Sequence, residues 1–359
     1  MKKLEAWKYT RLPDDFSEKI AESEKNRCRG ESCIRPLSAL DGLVIKKLEN
    51  LNPQEQDVYL NNNFGFELNP KEHPLACLNK SELGYLIEIP DNLIIKKHLE
   101  ILIQTGVSRV FIKLGKNSEL NILEKLDLNN NFYSSHLTFC EIGEGARLNY
   151  LKLVGELESD LNNLCEVSGL HVRQLENSVF NPCVFGLNLK NNKNYKNNSK
   201  SRFDLNIDLM GPGASCEILG GYYLKAKNHF DWHTVVNHKA SHTKSNILAK
   251  GLLDDYSTGV FYAKAQADAG VLDIEAHQKN QNILLSDFAS IYTQPVLNIY
   301  TSGISCTHGA TVGELDPAAV FYLQSRGIAE SEAREMLIHG FLNSVILEIK
   351  NQEWRDLLI

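Results

Sequence analysis

From about Val107 the chain repeats one local plan: a run of alternating apolar and polar residues, a small glycine-containing turn, then a second alternating run. RVFIKLGKNSELNILEKL (109–126), LTFCEIGEGARLNYLKL (137–153) and FDLNIDLMGPGASCEILGGYYL (203–224) follow it. STGVFYAKAQADAGVLDIEAHQ (257–278) and LSDFASIYTQPVLNIYTSGISC (285–306) continue it. Alternation of Phe203, Leu205, Ile207 and Leu209 with Asp204, Asn206 and Asp208 puts one set on a buried face and the other in water. One strand pair cannot hide its apolar face alone. Copies at a roughly constant spacing hide it by stacking, which predicts a solenoid and, for strands, a β-helix. An antiparallel sandwich gives the same local signal and stays open on the residues alone.

The plan divides the chain into three parts. Residues 1–106 read as a mixed helical region, 107–314 as the β-helix core and 315–359 as a C-terminal helical region. In the first part, Asp14–Lys25 is charged enough for a surface helix, Asn61–Asn69 is turn-rich, and LGYLIEIP (83–90) reads as a strand. Lys96–Gly106 fits helix and strand periods alike. Leu187–Ser201 is rich in Asn and Lys, with nothing to support a core, and reads as a solvated loop. In the last part, Asp316 caps a helix with Pro317 at its first position, and Gly327 ends it. Glu330–Lys350 reads as a second helix with Met336, Leu337, Phe341, Val345 and Ile349 on one stripe, packed against the first helix.

The formal net charge of -7 argues against a nucleic-acid binder, which needs a basic stripe. No run of about 18 apolar residues occurs, so no membrane helix is expected. The first ten residues carry Glu5, Trp7 and Lys8 where a secretory signal needs an apolar run. The eight cysteines (Cys28, Cys33, Cys77, Cys140, Cys165, Cys183, Cys216 and Cys306) form no CxxC pair. Reduced thiols in a cytoplasmic protein are the expectation.

Chemistry-bearing residues are few. Cys306 and His308 are two apart, so on a strand both point to one side, where thiolate and imidazole suit iron or zinc. Ile304 has the same parity, so the pair also fits a core-facing strand. Two ligands make an incomplete site, and the rest must come from a partner chain. His229, His233, His238 and His242 form a second group, for which structural or surface roles are the simpler reading; Cys216 lies nearby in the repeat. Asp273 and Glu275 share a face, as a glycan-cleaving carboxylate pair would, though a solvated polar face explains them more cheaply. There is no GxSxG elbow and no GxxxxGK[ST] loop, so no intrinsic ATP hydrolysis is expected and the chain is not read as an enzyme. Phe321, Tyr322, Leu323, Ile338 and Leu342 give the C-terminal helices more apolar positions than one buried face needs, which favours partner docking.

CTHGATVGELDPAAVFYLQSRGI (306–328) is very similar to the C-terminal signature of the SufD family, and EAWKYT (5–10) resembles that family's tryptophan-lysine-tyrosine-threonine motif. EIGEGARLNY (141–150), residues 251–260 and NQNILLSDFASIYTQPVLNIY (280–300) also match, so the resemblance is nearly full-length. The related SufB subunits carry a different, acidic-containing segment after the equivalent of Cys306. Two departures stand out: Thr307 replaces a commoner serine, and the leading stretch seen in many relatives is short or absent. The resemblance implies a mostly β protein, a right-handed parallel β-helix flanked by an N-terminal mixed α/β region and C-terminal helices. It implies a scaffold subunit of the Suf iron–sulfur assembly complex that pairs with SufB and binds the SufC ABC-type ATPase. No cofactor would be stably bound to the isolated chain, and an iron–sulfur cluster would form transiently near the SufB interface. It further implies that His308, with Cys306, lies at that interface, that Phe321, Tyr322, Ile338 and Leu342 serve SufC, and that a homodimer forms in isolation. The rival readings are a β-helix enzyme acting on polysaccharide and a protein that only holds the complex together.

Overall fold

Every one of these alternating runs forms a strand, and neighbours in space are two strands apart in sequence. The computed structural model describes residues 34–36, 42–66, 83–104, 106–127, 133–154, 165–187 and 198–359. The strands are β1 (Ile34–Pro36), β2 (Val44–Lys47), β3 (Gly84–Ile89), β4 (Ile94–Gln104), β5 (Gly106–Leu114), β6 (Glu119–Asp127), β7 (Tyr133–Ile142), β8 (Arg147–Leu153), β9 (Cys165–Gln174), β10 (Val179–Leu187), β11 (Lys200–Leu209), β12 (Ser215–Leu224), β13 (His229–His238), β14 (Lys244–Leu253), β15 (Thr258–Ala267), β16 (Ile274–Leu284), β17 (Ser290–Ile299) and β18 (Ile304–Gly313). Even-numbered strands from β4 to β18, with β1 outside β4, form one sheet; odd-numbered strands from β3 to β17, with β2 outside β3, form the other. All pairs are parallel except β1–β4 and β2–β3. This is a parallel β-helix.

The register is regular. Leu205 stacks between Leu170 and Thr234, and Ala263 and Pro295 continue the row. The turns set it. Asn92, Asn117, Gly145, Asn177, Gly213 and His242 all have positive φ. Each donates its backbone N–H to a carbonyl of the next coil: Asn117 to Glu144, Gly145 to Glu176, Asn177 to Pro212. Asn and Gly dominate this corner because they tolerate the left-handed region.

The lumen is the main core, with Ile122, Leu148, Phe180, Phe203, Leu205, Ile218, Trp232 and Phe261 all buried. The alternation expected at 203–209 holds for the apolar set. Asp204 differs: it is buried beside the equally buried Arg202, which also meets Asp231 at 2.9 Å. Strand β3 fulfils the expected strand at 83–90, and Lys96–Gln104 resolves as strand within β4, with Gly106 opening β5. Leu99, Ile101 and Ile103 alternate into the lumen. The solenoid therefore includes residues 84–104, ahead of the 107 boundary drawn where the glycine turns begin. The Asp14–Lys25 helix, the Trp7 motif, Cys28, Cys33, Cys77 and most of the 187–201 loop lie outside the described residues.

Three helices follow β18: α1 (Pro317–Ser325), α2 (Glu330–Ile346) and α3 (Gln352–Leu358). Asp316 caps α1 as expected, accepting from the Ala318 N–H at 2.9 Å, and Gly327 ends the turn at φ +90°. Helix α2 stops short of Lys350, and α3, capped by Asn351, was not foreseen. The buried stripe holds in part, with Val345 and Ile349 buried and Phe341 packed beside them. Ala333, Leu342, Val345 and Ile346 are buried, while Met336 is exposed. Leu342, Val345, Ile346, Ile349, Trp354 and Leu358 pack on Leu151, Leu153, Phe185, Leu219 and Leu252, on the outside of the even-numbered sheet. The cause is that a helix lying on a sheet buries a face set by the sheet's outward residues, not by its own densest apolar row.

Inside the lumen sits a charged cluster. Lys152 Nζ lies 2.7 Å from Glu124 and 3.0 Å from Glu166, all three being buried. Tyr150 donates to Glu124, and His136 bridges Ser108 and Thr138 at 2.8 and 3.0 Å. Burial pushes the Glu124 carboxyl up, but Lys152 and His136 more than reverse this and hold it well below the usual range. Truncating the ammonium leaves two buried carboxylates without their cation. Lys152→Met should lower unfolding free energy by about 3–5 kcal/mol, read from denaturant midpoints; a change under about 1 kcal/mol would contradict this account.

His238 gives a pH prediction. It is buried in the lumen between Thr243 Oγ1 (2.8 Å) and Ser245 Oγ (3.0 Å), and burial pushes its pKa down to about 4. The unfolded chain therefore takes up a proton near pH 6.5 that the folded chain refuses until about pH 4, so this group removes stability as pH falls through that window. The contribution is on the order of 3 kcal/mol. His238→Asn should be the less stable form at pH 7, with the gap to wild type narrowing toward pH 4.5 in chemical denaturation; a constant gap would show that His238 does not carry this slope.

Candidate functional site

The two ends of the solenoid differ. Antiparallel β1 and β2 cover the first coil, whereas β17 and β18 each have a strand neighbour on one side only, among the described residues. The last coil is therefore an open end with two unpaired edges, and β18 carries both Cys306 and His308. They stack on Ala276 and Gln278 of β16. Their shared parity is as expected, but their surroundings are not alike. Cys306 is half-buried against Ala265, Ala267, Val271, Ile274 and Ala276. Burial pushes its thiol above the ordinary range, against a hydrogen bond with the Ala276 backbone that pulls it down. His308 is exposed. On the opposite face of β18, Thr307 Oγ1 meets His277 Nδ1 at 2.8 Å.

Among the described residues, no group of three or more His, Cys, Asp or Glu side chains could hold a metal ion. The second histidine group does not converge. His229 is half-buried at the start of β13, where burial lowers its pKa. His233 sits 2.8 Å from Asp231 and stacks on Tyr262. His238 points into the lumen, while His242 lies in the following turn and pairs with Asp273 at 3.2 Å. These are structural and surface roles. Cys216 is also in the lumen, where burial raises its thiol pKa. The carboxylates considered for glycan chemistry are engaged with the preceding coil, Asp273 with His242 and Glu275 with Lys244 at 2.8 Å.

The docking residues divide. Phe321 and Tyr322 on α1 are 71% and 56% exposed. Leu342 is 5% exposed and Ile338 is partly buried in the cluster beneath α2, so these two are taken up within the chain. Exposed Met336 and Leu347 had not been singled out as docking residues.

One polar row was also missed. Asn181 donates to Asn149 and Asn149 to Asn121, each at 2.8 Å, and Asn121 donates to the carbonyls of Ile95 and Lys96. The row lines a cavity of about 240 Å³ under Lys350 and Trp354, together with Glu119, Glu217 and Glu348. Its signal is present in the sequence as Leu120-Asn121-Ile122, Leu148-Asn149-Tyr150 and Phe180-Asn181-Pro182, one Asn per coil at the same place.

No helix among the described residues is long and apolar enough to cross a membrane. The free cysteines among them are Cys140, Cys165, Cys183, Cys216 and Cys306.

Residues 98–341 match the family "SUF system FeS cluster assembly, SufBD core domain". An iron–sulfur cluster assembly SufBD family protein of Synechocystis is 32% identical over 149 residues, 42% of this chain and 33% of the relative. The iron–sulfur cluster assembly protein SufD of Escherichia coli is 33% identical over 111 residues, 31% of this chain and 26% of the relative. SufD of Plasmodium falciparum is 25% identical over 257 residues, 69% of this chain but 16% of the relative. The chain thus spans a third or less of the length of each of these relatives. With its strands stacked as a parallel β-helix and more than half of its length matched, the chain belongs to the SufB/SufD family of the SUF iron–sulfur cluster assembly system.

Proposed function

We propose that the chain is a non-enzymatic scaffold subunit of iron–sulfur cluster assembly, with the cluster as transient cargo. The observation that carries this reading is the exposed imidazole of His308 on an edge strand at the open end of the solenoid. Unpaired edges invite a second chain to add its own strands. A SufB subunit, itself of the same family, is the partner with the matching architecture; a second copy of this chain would use the same face in its absence. His308 then stands at the seam as a nitrogen ligand to iron, and the remaining ligands come from the partner. Cys306 is the weaker candidate, because burial favours its protonated thiol. The SufC ATPase docks on the C-terminal helices through Phe321 and Tyr322, whose exposed rings are of the type that anchors interfaces.

Two measurements test this. In the reconstituted complex, His308→Ala should lower the yield of assembled cluster at least tenfold, since losing even an outer-shell partner costs roughly ten- to hundredfold in metal affinity. Subunit composition should stay unchanged by size exclusion. Full cluster yield in an intact complex would leave only a structural, complex-holding role. Secondly, Phe321→Ala with Tyr322→Ala should weaken ATPase binding by about 2 kcal/mol or more, some thirtyfold in Kd, while thermal stability holds. Deleting α2 is the poorer test, because it uncovers the apolar outer face of the even-numbered sheet. Wild-type affinity in the double variant would remove the docking claim.

A further inference from the structure

The lumen changes character at its open end. In β16 the inward positions Gln278, Asn280 and Asn282 are all buried. The two asparagines are joined in one hydrogen-bonded network. The Tyr222 hydroxyl donates to Asn282 Oδ1 at 2.7 Å. Asn282 Nδ2 donates to Asn280 Oδ1 at 2.5 Å and to the Thr311 carbonyl at 3.3 Å. Thr293 Oγ1 donates to the same Asn280 oxygen at 2.9 Å, and Asn280 Nδ2 donates to the Ala249 carbonyl at 3.3 Å. The network therefore joins β12, β14 and β16 to both edge strands, β17 through Thr293 and β18 through Thr311.

A second feature is built around the same amide. Gly251 stacks on Tyr222 and Asn282, and a Cβ there would lie 2.4 Å from Asn282 Oδ1 and 2.4 Å from the Tyr222 ring. Aliphatic residues would fill this space without desolvating two amides, so packing alone does not account for them. What the amides add is direction: the bonds to Thr293 and Thr311 fix where the two edge strands lie.

We propose that Asn280 and Asn282 are positioning residues for the face that carries His308. They hold the last coil as a preformed ladder, so that a partner β-helix meets an ordered edge instead of a fraying one. Thr311 is three residues from His308 on the same strand, so a bond at Thr311 fixes the register of the imidazole. This rests on the reading that the open end is the docking face.

Hydrogen exchange by mass spectrometry on the isolated full chain tests the inference. In Asn282→Ala, peptides covering 304–313 should exchange at least tenfold faster, while peptides from β8 and β10 keep their wild-type rates. Thr293→Val, nearly isosteric, should release 290–299 alone, and Gly251→Ala should reproduce the Asn282→Ala pattern by crowding. Affinity for the SufB-type partner should fall at least tenfold in Asn282→Ala, measured at a temperature where the variant remains fully folded. Wild-type exchange at 304–313 in both Asn282→Ala and Gly251→Ala would overturn the proposal, as would faster exchange with undiminished partner affinity. The docking reading is tested separately: in the wild-type complex, 304–313 should gain protection over the isolated chain. If it does not, that reading fails, and the positioning role falls with it for a different reason.

Discussion

Parallel pairing between coils is the constraint on which the rest depends. In a stack of parallel strands each backbone N–H and C=O finds its partner one coil away, so a coil is complete only when it lies between two others. The chain meets this at the β3 end by doubling back with the antiparallel strands β2 and β1. At the β17–β18 end no further strand follows among the described residues. The long edges left with one neighbour are therefore β17 and β18, against the short β1 and β2 at the other end, and β18 holds the histidine matching the family signature. On the proposed reading, the asymmetry of the fold points to that end before any side-chain chemistry is considered.

The lumen shows how register is specified in such a stack. An aliphatic lumen fixes which side of a strand faces inward, but one apolar row stacks on the next almost as well after a two-residue slip. Directed bonds do not tolerate that slip. Between β5 and β9 the direction comes from charge, with Lys152 between Glu124 and Glu166. At the other end it comes from amides, with Asn280 and Asn282 reaching β17 and β18. Buried ions are costly to leave unpaired, and the Lys152 cluster lies in a stretch of lumen with strands on both sides. Near the opening, neutral amides give similar directionality with a smaller desolvation cost, which matters where neighbouring coils protect from one side only.

The fold was legible because period-two alternation and glycine corners are local signals, each confined to one coil. They gave β5 to β8, β11, β12, β15 and β17 and the starts of β16 and β18, while β9, β10, β13 and β14 fall in stretches that the alternation did not single out; the first helix cap came instead from Asp316-Pro317. The ambiguity at 96–106 had a physical source: Leu99, Ile101 and Ile103 alternate with residues that are themselves half apolar, so the helical and strand periods overlap. The repeat was weak because coils differ in length. Lys116 and Glu144 stack 28 residues apart, Glu141 and Arg173 32, Arg202 and Asp231 29. The site was legible in part. Spacing put Cys306 and His308 on one face, but it carries no information about where the lumen ends, and that is what separates a half-buried thiol from an exposed imidazole. Nor does an apolar stripe on a helix tell which of its members meet a sheet, so Leu342 and Phe321 looked alike until the sheet was present.

The separation of Cys306 and His308 bears on what a single chain does. A thiol kept protonated by its surroundings is a poor ligand until something changes them, and one imidazole is a weak hold on iron. On the proposed reading the two residues by themselves would supply at most part of a coordination sphere. A partner that pairs with β17 and β18 would bury the exposed imidazole, supply further ligands and complete the backbone ladder in the same step. Completing the ladder and completing the ligand set are then one event. An assembly scaffold of the kind proposed would benefit from that coupling: an iron site at the seam would have its full set of ligands only while the complex is formed, and opening the seam would weaken the hold on the finished cluster.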